Sequence, residues 1–137
     1  MNKSIMTLLV ILSVASSAGA GAESSFGLTD TVKKKNGVTY LCSGIGESKD
    51  DPRTSEFPMK IVFATVSSAL YSDVNVKVYE EGSGKSVFDV FCDGAWLLVK
   101  LPAGKYRVSA TDQKNQSRSC SMTIGSSQTQ CVLRWPD

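Results

Sequence analysis

The sequence contains no histidine. That absence removes Ser-His-Asp and Cys-His nucleophilic catalysis, imidazole metal ligation and the commonest general base. An excess of charge of either sign is missing too, since 15 basic residues face 13 acidic ones. Such a balance leaves no electrostatic footprint for nucleic acid or an anionic membrane. The one basic run, Lys33-Lys34-Lys35, precedes Asn36-Gly37 and reads as a solvated turn. Beyond the N-terminus no apolar run approaches the roughly 20 residues that a membrane-crossing helix needs. There is no Cys-x-x-Cys pair, no internal repeat and no low-complexity tract. Aromatic residues are sparse, at 8%, so each is weighed singly as a contact residue. Trp96 and Trp135 are expected to be packed in the core or at an edge, because Trp is largely buried in most folds. Tyr71 is a further candidate, and Tyr79, in an outward phase, is expected to be exposed.

What is present begins with an export signal over residues 1–20. Lys3 supplies a positive start, Ile5 to Val14 an apolar centre, and Ala18-Gly19-Ala20 a small-x-small cleavage pattern, with Ala20-Gly21-Ala22 a second option. Cleavage would leave 115 to 117 residues, 14 of them basic against 13 acidic once Lys3 is removed. Four cysteines, Cys42, Cys92, Cys120 and Cys131, all lie in the exported part. An even count in an oxidising compartment predicts two disulfides. Three pairings are open, and strand geometry favours one. If 124–128 turns a hairpin, Cys120 and Cys131 are equidistant from its centre and face each other across an antiparallel pair, where Cα separations of about 4.5–5.5 Å suit a disulfide. Cys42 then pairs with Cys92. A four-thiolate zinc site would need paired Cys-x-x-Cys spacing.

Residues 21–37 read as a polar lead-in and residues 38–137 as one domain. Val38 to Cys42 is a short strand candidate, followed by a long Gly-, Ser-, Asp- and Pro-rich loop from Ser43 to Pro58 with room for one helical turn. Met59 to Val66 is nearly continuous in apolar residues, as in a strand covered on both faces. Asp73 to Glu80 alternates, with Val74, Val76 and Val78 in one phase. Ser86 to Cys92 puts Phe88, Val90 and Cys92 in one phase, and Asp93-Gly94 is a strong hairpin signal. Trp96 to Leu101 and Lys105 to Thr111 flank a Pro102-Ala103-Gly104 turn, in which Pro fixes φ and Gly is expected to supply an unusual backbone angle. Ser117 to Ile124 and Gln128 to Trp135 close the chain. Seven or eight short strands with regular turn signals predict an all-β, antiparallel β-sandwich.

Leu101-Pro102-Ala103-Gly104-Lys105-Tyr106-Arg107-Val108 resembles the Leu-Pro-x-Gly-x-Tyr-x-Val signature of carboxypeptidase regulatory-like domains. Gly37-Val38-Thr39-Tyr40, Ser43-Gly44-Ile45-Gly46-Glu47, Met59 to Ala64, Tyr71-Ser72-Asp73-Val74, Asp93-Gly94-Ala95-Trp96 and Arg134-Trp135 extend the resemblance over residues 37–135, to small exported bacterial proteins carrying such a domain. The four cysteines and Ala95, where the group would have Pro, depart from it. The resemblance implies a transthyretin-like sandwich in the periplasm or outside the cell, and no activity.

Two motifs imitate chemistry. Gly82-Ser83-Gly84-Lys85-Ser86 echoes a phosphate loop, but Tyr79 stands where the first Gly belongs and a strand follows where a helix is needed. It reads as a hairpin turn. Glu47, Asp50, Asp51 and Glu56 crowd one loop without the alternating spacing of a calcium site, and Lys49 and Arg53 sit among them. The residues thus call for no enzyme, cofactor or metal. The expectation is a non-catalytic envelope module that binds a protein or cell-envelope polymer, with Gly44, Gly46, Glu47, Asp50 and Asp51 as its candidate contact loop. The alternative is an inhibitor or immunity-type protein that inserts this loop into an exported enzyme.

Overall fold

Residues 31–44 and 52–137 are described in the computed structural model. Among these residues nine strands follow one another: β1 (Lys33–Lys35), β2 (Val38–Ser43), β3 (Met59–Thr65), β4 (Val74–Glu80), β5 (Ser86–Cys92), β6 (Trp96–Val99), β7 (Gly104–Thr111), β8 (Ser117–Ile124) and β9 (Thr129–Trp135). A 3-10 turn at Pro52–Glu56 is the only helical element among the described residues. One sheet has the order β1-β2-β6-β3-β9 and the other β5-β4-β7-β8. The chain is an all-β sandwich in which every ladder is antiparallel except that between β3 and β9, which is parallel.

The period-two pattern sets which face meets the core. Val74, Val76 and Val78 of β4, Val108 and Ala110 of β7, and Met122 and Ile124 of β8 point inward from one sheet. Met59, Ile61 and Phe63 of β3, Leu97 and Val99 of β6, and Leu133 and Trp135 of β9 meet them from the other. Each such side chain contributes about 1.5–3 kcal/mol by leaving water. A one-residue slip would turn a strand's whole apolar set outward, so the register is strongly set. Strands β3 and β6 lie inside their sheet, and their outer residues Ala64 and Leu98 are buried as well. This accounts for the nearly unbroken apolar run from Met59.

Four local expectations are corrected. Lys33-Lys34-Lys35 is the edge strand β1, hairpinned to β2 through Asn36 and Gly37, so the sheet extends into the expected lead-in and the strands among the described residues number nine. Lys35 turns inward, and its Nζ reaches the Asp89 carbonyl at 2.7 Å and carboxylate at 2.9 Å.

The Asp93-Gly94 pair makes no hairpin: β5 and β6 belong to different sheets, and the segment crosses between them. A primed hairpin turn needs positive φ at its Gly, whereas Gly94 is chosen by proximity. A Cβ there would lie 2.5 Å from the Ser43 carbonyl oxygen. The outer Leu98 and Trp96 explain the crossing, since β6 needs a central site with both faces covered, and it finds one between β2 and β3.

Cys120 does bond Cys131, and Cys42 bonds Cys92, as expected. The reason differs for the first pair. Strands β8 and β9 are not hydrogen-bonded neighbours but the facing edges of opposite sheets, so both disulfides bridge the sandwich.

The Pro102-Ala103-Gly104 segment likewise arches from sheet to sheet. Gly104 sits at φ 159°, close to ordinary extended backbone. The arch is held by the buried Tyr106, whose hydroxyl donates to the Pro102 carbonyl at 2.7 Å. A tyrosine tied back to the corner that precedes its strand is a recurring brace of sandwich folds.

Candidate functional site

The outer face of the five-stranded sheet carries a second apolar cluster, separate from the main core. Alternation along β2 and β6 directs Leu41, Leu98 and Trp96 away from the sheet-to-sheet interior. Phe57, just after the 3-10 turn, covers Leu41 and Leu98, and all three are buried. Trp96 stays half-buried at the margin. The Lys60 ammonium, from the adjacent β3, stands 3.6 Å from the Trp96 ring centroid, close enough for a cation–π attraction. Burial pushes the Lys60 pKa down. Lys100 lies 5.2 Å from the Phe57 ring in the same manner.

This cluster fastens both legs of the predicted contact loop. On the first leg, Gly44 has φ +91°, and a Cβ there would come within 2.5 Å of the Trp96 ring. Only glycine meets both conditions. Cys42, two residues earlier, is tied to Cys92, and its sulfur accepts the Gly94 N–H at 3.0 Å. On the second leg, the Gln128 side-chain amide donates to the carbonyls of Thr54 (2.8 Å) and Phe57 (2.9 Å). The Thr129 N–H adds a bond to the Pro58 carbonyl at 2.8 Å. Of the five predicted contact residues, Gly44 is thus placed against Trp96, while Gly46, Glu47, Asp50 and Asp51 lie outside the described residues. The sequence does not reveal Lys60 as the partner of Trp96, or Gln128 as a partner of this loop. Both are polar residues whose role depends on contacts distant in sequence.

A second polar cluster lies where the β3–β4 connection meets the β7–β8 turn. Buried Asp112 accepts the Tyr71 hydroxyl at 2.7 Å and the backbone N–H groups of Lys114 (3.0 Å) and Gln116 (2.8 Å). Tyr71 stacks on Trp135 with centroids 5.2 Å apart, and the Trp135 indole N–H donates to the Gln116 carbonyl. Desolvation by itself would raise the Asp112 pKa, but the bonds from Tyr71, Gln116 and Lys114 outweigh it and hold the carboxyl below its ordinary value. The hydrogen bond to Asp112 in turn raises the Tyr71 pKa. Every lone pair used there goes to a neighbour in the fold, so the cluster reads as a structural tie.

Between the β4–β5 turn and the inter-sheet arch lies an open cleft of about 230 Å³ lined by Glu80, Ser83, Lys105 and Tyr106. The Glu80 carboxylate accepts the Ser83 hydroxyl at 2.8 Å, and the glycine-rich segment is a hairpin turn between two strands. All four cysteines are in disulfides. Among the described residues no three His, Cys, Asp or Glu side chains gather as metal ligands, and no helix is long and apolar enough to cross a membrane. No protein-family model, curated protein or solved structure matches this chain.

Proposed function

We propose that this chain is a non-catalytic exported module that binds a protein or cell-envelope polymer through the 43–58 loop. The observation that carries this reading is the bracing of both loop legs. Gly44 seated on Trp96, the Cys42–Cys92 bond and the Gln128 clamp hold the loop's ends over one sheet face. Holding a loop's ends lowers the conformational entropy lost on binding, and sandwiches commonly present binding loops on a rigid scaffold. Two disulfides suit an oxidising compartment, and the leader-like residues 1–20 supply the export route. The resemblance to carboxypeptidase regulatory-like domains, and with it a transthyretin-like fold, belongs to this reading. So does the residue inventory, which lacks histidine and a free thiol.

The test is capture of partners from a periplasmic or secreted extract with the disulfide-intact protein. The wild type should retain a partner that a Glu47→Gln, Asp50→Asn, Asp51→Asn triple variant does not. Equal retention by both would remove the loop from the reading. Loss of a captured enzyme's turnover on binding would move the assignment to the inhibitor class.

A further inference from the structure

The outer face of the four-stranded sheet has the opposite character to the loop-covered face, and it is independent of the loop reading. Strand register arranges its outward side chains in rows. Phe91, Asn75, Thr111 and Ser117 form one row; Asp89, Lys77, Ser109 and Ser119 form the next. Tyr79, Arg107 and Ser121 form a third, and Lys105 pairs with Thr123 beyond them. Strands spaced about 4.8 Å apart and same-face residues about 6.6 Å apart make this a lattice of about 14 by 20 Å.

Its chemistry is specific. Strands β7 and β8 contribute six hydroxyls, at Ser109, Thr111, Ser117, Ser119, Ser121 and Thr123, none of them fully buried. Each hydroxyl both donates and accepts. Lys77, Arg107 and Lys105 lie along this face, all exposed. The one carboxylate in the rows, that of Asp89, is already engaged by Lys35 at the sheet edge. Tyr79 is half-buried beside Arg107, and Phe91 is 50% exposed at the opposite end of the lattice.

We infer that this face binds an anionic polysaccharide, a chain of hydroxyl-bearing sugars with carboxylates. Lys77 and Arg107 would take the carboxylates, with the guanidinium suited to a two-point contact. The serine and threonine rows would exchange hydrogen bonds with sugar hydroxyls, and Tyr79 and Phe91 would receive the apolar faces of sugar rings. An acidic protein fits less well. Protein interfaces are anchored by an apolar centre, and here the outward residues of β4, β7 and β8 are charged or bear a hydroxyl or amide, with Tyr79 the one aromatic among them.

Affinity electrophoresis of the disulfide-intact protein in gels of polygalacturonate, dextran or poly-glutamate tests this. Polygalacturonate should retard the protein and dextran should not. Lys77→Gln with Arg107→Gln should weaken the retardation about tenfold or more, the scale of two lost charge-assisted bonds. Ser109→Ala with Ser121→Ala should weaken it several-fold. Lys33→Gln with Lys34→Gln, the same charge removed from the other sheet, should change it less than about twofold, as expected for charges outside a site. Near-ultraviolet circular dichroism confirms that each variant is folded. No retardation by polygalacturonate, equal loss in the β1 control, or equally strong retardation by poly-glutamate would each overturn the inference.

Discussion

Two glycines show how the same backbone angle carries different weight at different sites. Gly37 and Gly44 both have positive φ, at 83° and 91°, but a Cβ on Gly37 meets open space while one on Gly44 meets Trp96. Gly37→Ala is therefore expected to cost only the left-handed strain, about 1 kcal/mol. Gly44→Ala adds the displacement of an indole and is expected to cost about 3 kcal/mol. Urea unfolding gives both values, and only Gly44→Ala should shift the emission of the half-buried Trp96. Tyr106→Phe isolates the arch bond. It leaves the ring in the core and is expected to cost about 1–2 kcal/mol, the usual range for a lost internal hydrogen bond. Tyr106 was legible as an inward residue from the alternation of Tyr106, Val108 and Ala110. Its bond to Pro102 was not, because spacing reveals a face but not what a hydroxyl reaches.

Among the elements, the β7–β8 turn carries a charge whose state is linked to stability. Asp112 is held below its ordinary pKa by hydrogen bonds that only the folded chain provides. It therefore contributes stability above the unfolded carboxyl value of about 3.9, and that contribution is lost as pH falls through the lower folded value. Asp112→Asn should have a lower melting temperature at neutral pH and a shallower fall in stability below about pH 4. At the alkaline end the signs are those of raised tyrosines. Tyr71 is raised chiefly by its bond to Asp112, and Tyr106 by burial first and Glu80 second. Their contribution is whole below the unfolded value of about 10 and is lost as pH rises through the folded values. Thermal melts of the wild type and of Tyr71→Phe across that range should show a smaller alkaline loss in the variant. Strand existence was legible in the sequence almost throughout, because the 2-residue period is local. Connection type was not: Asp93-Gly94 carries a hairpin signal yet crosses between sheets, since the central place available to β6 outweighs a turn preference.

For the molecule as a whole, the two disulfides sit at opposite lateral edges of the sandwich. Cys42–Cys92 joins β2 to β5, with Lys35 on Asp89 beside it. Cys120–Cys131 joins β8 to β9, where the Arg118 side chain also donates to the Arg134 carbonyl at 2.8 Å. Their sequence separations are 50 and 11 residues. In the loop-entropy account the longer closure contributes about 4 kcal/mol and the shorter about 3. Cys42→Ala with Cys92→Ala should therefore lower the urea midpoint more than Cys120→Ala with Cys131→Ala. The first pair of substitutions also frees one leg of the loop and should weaken capture of its partner, which the second should not.

The sequence by itself determined the class of fold, the inward and outward phase of most strands and the exclusion of histidine chemistry. All of these depend on residue type and near spacing, which need no partner to be read. Only the tertiary structure decided which strands share a sheet, that the Cys120–Cys131 bond crosses the sandwich, that Lys60 lies over Trp96, and that Gly44 on Trp96 and the Gln128 amide brace one loop. These depend on contacts between residues dozens of positions apart, where the competition for a place covered on both faces, rather than any local preference, selects the neighbour.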